Sequence, residues 1–165
     1  MNNKFYNEVD ILWKGPFEVS CNRETLEHFL SEDVPPDIIN SHGVYQIYGE
    51  HPIYGRDVLL YIGQTAPTEN NARGFGLRLK EHFRGRFWSH CNLTVRFGRC
   101  YIDENEIYDK DKILVIESLL IACNMPALNR EYLDGAKKSS EHYIVRNWDF
   151  KGSIAAECSS IYWTE

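Results

Sequence analysis

Five side chains in this sequence are of kinds that hold charge or move protons at neutral pH: Tyr45, Tyr61, Arg78, His82 and Glu117. Tyr45 stands in the run Gly43-Val44-Tyr45-Gln46-Ile47-Tyr48, and Tyr61 in Val58-Leu59-Leu60-Tyr61-Ile62-Gly63. Side chains alternate across a strand, so Tyr45 shares a face with Ile47, and Tyr61 with Leu59 and Gly63. Each run therefore aims one phenol where Gly43 and Gly63 leave the backbone uncovered. Arg78 and His82 are four residues apart, and on a helix they present a cation and a proton-transfer group one above the other. Glu117 lies in the middle of Lys112 to Cys123, a segment that is apolar almost all round. A carboxylate in such surroundings costs roughly several kcal/mol unless it is paired, protonated or bound to a cation. Two readings stand side by side. Glu117 faces inward and takes such a partner, for which a divalent metal in a cleft is suited, or it occupies a solvent-facing position beside Ser118.

The elements that must position these groups follow from composition and periodicity. The two tyrosine runs are rich in β-branched and aromatic residues and are separated by Gly49, Pro52, Gly55 and Asp57, which predicts two antiparallel strands joined by a hairpin loop. Gln64 to Arg73 reads as a loop, Gly76 to Arg84 as a helix with Leu79 and Phe83 four apart, and Leu93 to Tyr101 as a third, alternating strand. Lys112 to Cys123 reads as a buried helix capped by Asp109 or Asp111, with Pro126 beyond its end. Before the first tyrosine run, Glu24 to Leu30 suggests a short helix capped by Thr25, followed by a break at Pro35-Pro36. After Asn129, Gly135 to Ser140 reads as a flexible connection, Tyr143 to Trp148 as an edge strand, and Trp163 as a cap on the core.

The 165 residues suit one domain with a real core. No apolar stretch reaches membrane-spanning length, and Met1-Asn2-Asn3-Lys4 lacks a hydrophobic signal core, so a cytoplasmic protein is expected. Cys21, Cys91, Cys100, Cys123 and Cys158 are odd in number, scattered and without Cys-x-x-Cys spacing, which argues for reduced thiols and against a zinc ribbon. His90-Cys91 with Cys100 would supply half a metal site, but no second close pair completes it. A net charge of −6 excludes a uniformly basic nucleic-acid-binding surface. Yet Arg73, Arg78, Lys80, Arg84, Arg86, Arg96 and Arg99 face a single acid, Glu81, between positions 73 and 99, with aromatics interleaved. Such a segment is either a phosphate-contacting face with stacking groups or a solvated basic helix.

In order along the chain stand Gly43-Val44-Tyr45, Tyr61-Ile62-Gly63, Arg78 with His82 one turn later, and Glu117 followed by Asn129 in Pro126-Ala127-Leu128-Asn129. Together these resemble the GIY-YIG nuclease family over roughly residues 43–130, with Val44 in place of the isoleucine of the first motif. The resemblance implies an α+β fold: a small central antiparallel β-sheet flanked by helices, with residues 1–42 an N-terminal extension packed on the core and 131–165 a C-terminal extension of the same domain. It also implies phosphodiester hydrolysis with one divalent metal, Mg²⁺ or Mn²⁺. By matching position, Glu117 would hold the ion, Arg78 would sit beside the scissile phosphate, Tyr45 and Tyr61 would be cleft phenols, His82 would relay a proton and Asn129 would be mostly architectural. Either tyrosine could be the base, with Tyr61 favoured because a motif glycine opens the backbone beside it.

Such chemistry adds negative charge to an already anionic phosphorus centre, so a metal and a guanidinium are what the site needs. A phenol becomes a base only where nearby positive charge stabilises its phenolate. The leading expectation is an endonuclease acting on double-stranded DNA, restriction-like and working as a homodimer that cuts both strands. Arg73, Lys80, Arg84 and Arg86 are its candidate DNA contacts, with Gln64 to Arg73 and Arg84 to His90 as base-reading segments. A structure-specific DNA nuclease, or a catalytically silent nucleic-acid-binding module on the same fold, would share these features.

Overall fold

Val9, Ile11 and Trp13 alternate with Asp10, Leu12 and Lys14, and the first three are fully buried. That period of two makes the N-terminal stretch a strand with one face on the core. The computed structural model describes residues 6–68 and 74–160. In chain order the elements are β1 (Asn7–Cys21), β2 (His28–Leu30), α1 (Pro36–Ile39), β3 (Gly43–His51), β4 (Gly55–Thr65), α2 (Phe75–Arg84), β5 (Leu93–Ile102), β6 (Asn105–Glu106), α3 (Lys110–Asn124), a 3-10 turn (Lys138–His142), β7 (Tyr143–Asp149) and β8 (Glu157–Ser159).

The eight strands among the described residues join one sheet in the order β4-β3-β5-β1-β7-β8, with β2 added to β1 and β6 to β5. Neighbours are antiparallel except β1 and β7, which run parallel. The expected small central antiparallel sheet flanked by helices is therefore corrected. Strands make up 41% of the described residues and helices 23%, and the sheet is a curled, mixed half-barrel. The reason lies in the flanking segments. Residues 1–42, read as an extension, supply β1, which runs through the middle of the sheet. Residues 131–165 supply β7 and β8, so Tyr143 to Trp148 is an interior strand, not an edge.

Two further expectations change. Glu24 to Leu30 forms no helix: the Asn22 side chain accepts from the N–H groups of Glu24 and Thr25, Leu26 turns the chain with φ 57°, and His28–Leu30 pairs with the end of β1. In β4, Tyr61 pairs with Ile47 but Leu59 pairs with Tyr48, leaving Leu60 as an extra residue. This bulge puts Leu60 beside Tyr61 in the α2-side core and sends Leu59 to the other face. Trp163 and Arg73 lie outside the described residues.

Each face of the sheet carries its own core. On one, α3 packs against β3, β4, β7 and β8, burying Ile113, Ile116, Leu119 and Leu120 against Val9, Ile11, Trp13 and Val145. On the other, Phe75, Leu79 and Phe83 of α2 meet Tyr45, Ile47, Leu60, Tyr61 and Phe97. Asp109 is the cap of α3, accepting from the Lys112 N–H at 2.9 Å, and Met125 ends the helix in the left-handed region. The chain then lies along β4. The N–H groups of Ala127 and Leu128 donate to the carbonyls of Leu59 and Leu60, at 3.1 and 2.8 Å.

Asn129 completes that seam as a false strand residue. Its carbonyl accepts from the Ile62 N–H and its amide donates to the Ile62 carbonyl, both at 2.9 Å, in a buried place. Removing it orphans two buried backbone groups, each costing about 1–3 kcal/mol. Asn129→Leu is expected to lower unfolding free energy by about 2–4 kcal/mol in a denaturant titration. An unchanged midpoint would show that the seam carries no load.

Candidate functional site

Tyr45 stands directly opposite Gly63 across the β3–β4 ladder. A Cβ at Gly63 would overlap both the Tyr45 phenol and the Tyr61 ring, so the glycine is what lets the two tyrosines lie over the strand. Their ring centroids are 6.2 Å apart. Phe75 meets Tyr45 edge-on at 6.1 Å and Phe87 meets Tyr61 at 6.0 Å, giving the pair aromatic walls. His82, on the flank of α2 beside its buried stripe, fills the remaining side, 4.9 Å from the Tyr61 ring and 5.9 Å from that of Tyr45.

Gly85 ends α2, and the turn after it is closed by the Phe87 N–H donating to the His82 carbonyl at 3.0 Å. This lays the Arg86 guanidinium over the Tyr61 ring, 4.7 Å from its centre, where it also donates to the Leu128 carbonyl at 3.1 Å. Arg78 pairs with Glu81 at 3.1 Å and is half-exposed. Its charge is felt by Tyr45, Tyr61, His82 and Glu117 alike. Glu117, from α3, in turn acts on both phenols. Tyr45, Tyr61 and His82 thus meet beside β4, within reach of the charges of Arg78 and Glu117.

Burial dominates the electrostatics. It pushes the Tyr45 phenol well above its usual range, with Tyr61 adding to the rise and Arg78 opposing it. The Tyr45 hydroxyl is buried with the Arg78 guanidinium as the donor acting on it, and Nε2 of His82 is buried without a hydrogen-bond partner. Burial and Glu117 raise Tyr61, while Arg86 and Arg78 pull it back. Burial, Arg78 and Arg86 lower His82 to about 4, so its imidazole is neutral at physiological pH. Burial raises Glu117 from 4.5 to about 7 against the pull of Arg78, with the carboxylate of Glu131 adding to the rise.

A buried carboxyl that desolvation keeps from ionising freely, with the charge of Glu131 acting on it, suits a divalent cation. Among the described residues no three His, Cys, Asp or Glu side chains form a ready-made cage. Mg²⁺ does not require one, since it keeps several waters and uses one or two carboxylates together with substrate phosphate oxygens. The donor set at Glu117 fits that pattern.

The basic segment does not fold into one face. Arg78 and Arg86 reach the site, but Lys80 lies on the other flank of α2 in a groove with His28 and Phe29, and Arg84 is exposed. Arg96 donates to the Phe150 carbonyl and covers the Tyr48 ring, and Arg99 pairs with Asp37 and Glu106. Sequence reasoning placed Arg86 among DNA contacts and overlooked its position on Tyr61. Arg86 stands past the end of α2, so its place on Tyr61 follows from the turn after the helix and not from helical spacing. Glu131 gave no periodic signal, because it follows the Asn129 seam in irregular chain.

Comparison with family models, curated proteins and solved structures finds no match to this chain. Among the described residues no helix is long and apolar enough to cross a membrane.

The Glu117 carboxyl binds its proton more tightly folded than unfolded, so its contribution to stability is complete below about 4.5 and is lost as pH rises toward about 7. Glu117→Gln removes that loss. In buffer without divalent cations the variant should match the native chain near about pH 4.5 and exceed it near about pH 8 by up to about 3 kcal/mol. A stability difference that does not change with pH would place Glu117 in solvent.

Proposed function

We propose that this chain is a metal-dependent endonuclease that hydrolyses phosphodiester bonds in double-stranded DNA. The observation that carries the reading is the meeting of Tyr45, Tyr61 and His82 around a buried, unpartnered imidazole nitrogen, with the charges of Arg78 and Glu117 acting on them. This is the set that the resemblance to the GIY-YIG family implies, brought together from β3, β4, α2 and α3.

Arg78 is the half-exposed cation, free on its outer side to meet the non-bridging oxygens of a phosphate while Glu81 orients it. Tyr61 is the better candidate for the proton acceptor. It keeps 9% of its surface exposed whereas Tyr45 has none, and two guanidiniums oppose the rise in its pKa. Tyr45 supports it from below. Neutral His82, against the Tyr61 ring, can take up a proton and hold it only briefly, as a relay requires. Glu117, with Glu131 beside it, would hold Mg²⁺ or Mn²⁺. When bound, the ion supplies the positive charge that polarises the phosphate and lowers the nearby phenol.

The restriction-like form of the reading, with a homodimer cutting both strands, rests on the resemblance alone. The elements outside the motif-bearing stretch are consumed by the sheet itself as β1, β7 and β8. Sequence choice then falls to loops at the site, with Arg86 at its edge.

A supercoiled-plasmid assay with added Mg²⁺ tests the proposal. The native chain should nick or linearise the plasmid, Arg78→Ala should cut about 10²–10³-fold more slowly, and Glu117→Gln should show no cutting above background. Both variants should keep native near-ultraviolet circular dichroism. Normal cutting by either variant overturns the assigned roles, and a native chain that shifts DNA in a gel but leaves plasmid intact is a silent binding module. Preference for branched over plain duplex would make it structure-specific.

A further inference from the structure

The five cysteines, dispersed in sequence, are brought by the fold into two neighbouring pairs and one buried single residue. Cys21 at the end of β1 meets Cys91 just before β5, Cys123 in the last turn of α3 meets Cys158 in β8, and Cys100 is buried alone. The second pair is the one built for chemistry.

Cys158 is 1% exposed, and its sulfur receives the side-chain amides of Asn124 at 3.5 Å and Asn147 at 3.9 Å. Both amides are fixed, since they also donate to the carbonyls of Leu120 and Ala155, at 2.8 and 2.9 Å. Those two donors by themselves favour a thiolate at Cys158, but the hydrogen bond to Cys123 and burial outweigh them, so Cys158 keeps its proton and donates its S–H to Cys123. Cys123 accepts that S–H together with the backbone N–H of Ser159. These contacts bring Cys123 down to about 7, while the same hydrogen bond and burial push Cys158 up. Cys123 also lines a cavity of about 560 Å³, with Leu119, Met125, Leu133, Ala136 and Lys137 around it, so small reagents from solvent can reach the sulfur. At the other pair, burial and Cys91 raise Cys21.

We propose that Cys123 and Cys158 form a peroxide-oxidisable dithiol, with Cys123 the attacking sulfur and Cys158 the resolving one. The Cys123 thiolate attacks one oxygen of hydrogen peroxide, the O–O bond breaks, and with one proton taken up the products are a sulfenic acid and water. The Cys158 sulfur then attacks the sulfenic sulfur, the S–O bond breaks, and the Cys158 proton leaves with the hydroxyl as a second water. Two thiols are oxidised by two electrons and one peroxide is reduced. The resulting disulfide ties the last turn of α3, the helix that carries Glu117, to β8.

Reduced full-length protein treated with one equivalent of hydrogen peroxide, then alkylated and mapped by mass spectrometry, should yield a crosslinked peptide pair joining Cys123 to Cys158. Dithiothreitol should reverse it, and the thermal midpoint should be higher in the oxidised form. In the folded, reduced chain Cys123 should be alkylated by iodoacetamide at neutral pH at least about 10-fold faster than Cys21, following its greater thiolate fraction. In Cys158→Ser, dimedone should accumulate on Cys123 with no crosslink. Failure to form the Cys123–Cys158 crosslink in the native chain, oxidation falling first on Cys21 or Cys91, or a Cys123 no faster than Cys21 would overturn the proposal. None of these readouts depends on DNA cleavage.

Discussion

The Tyr45 phenol occupies the space where a side chain at position 63 would stand, and the rest of the site depends on that exchange. Because Gly63 is bare, β3 and β4 present two phenols side by side on one face, and α2 closes over them with Phe75 and His82. Overpacking this spot would cost about 1–3 kcal/mol and would move the rings. The hairpin is therefore fixed in register by ring packing as well as by its ladder. A bulge at Leu60 and the Asn129 clamp on Ile62 hold the same strand from its far edge.

Charge is then set by what lies around the rings. Apolar packing makes every titratable group there resist ionisation: the phenols stay protonated, His82 stays neutral and Glu117 is held near half-protonation. Arg78 and Arg86 oppose the rise of the acids without cancelling it. The site is thus short of positive charge relative to its acids and poised to gain some. A fold seeking only stability would gain by replacing Glu117 with an apolar residue, so a buried carboxylate in an otherwise apolar helix is a place where stability is given up.

Local patterns were legible and topology was not. α2, β5 and α3 were readable because their periodicities are clean and Asp109 caps α3 in the ordinary way. The central role of β1 was missed although Val9, Ile11 and Trp13 alternate, because a strand signal says nothing about which strand it will pair with across some ninety residues. The supposed helix at Glu24 failed because Asn22 captures the next two amides and offers the backbone a turn instead. At the candidate site, Tyr45, Tyr61 and His82, which meet in the fold, were identifiable by type and spacing. Arg86 and Glu131 were not, since their positions follow from the turn after α2 and from the seam along β4. The charge count between 73 and 99 misled for the same reason: Arg96 and Arg99 are on a strand and bind the protein's own carbonyl and carboxylate groups.

The most direct measurement is a carbon-13 carboxyl NMR titration of Glu117, assigned by comparison with Glu117→Gln. The account requires a carboxyl that titrates near about 7 in cation-free buffer, moves upward in Arg78→Ala, and moves downward when Mg²⁺ is added. A carboxyl titrating near its ordinary 4.5 and indifferent to both changes would contradict it.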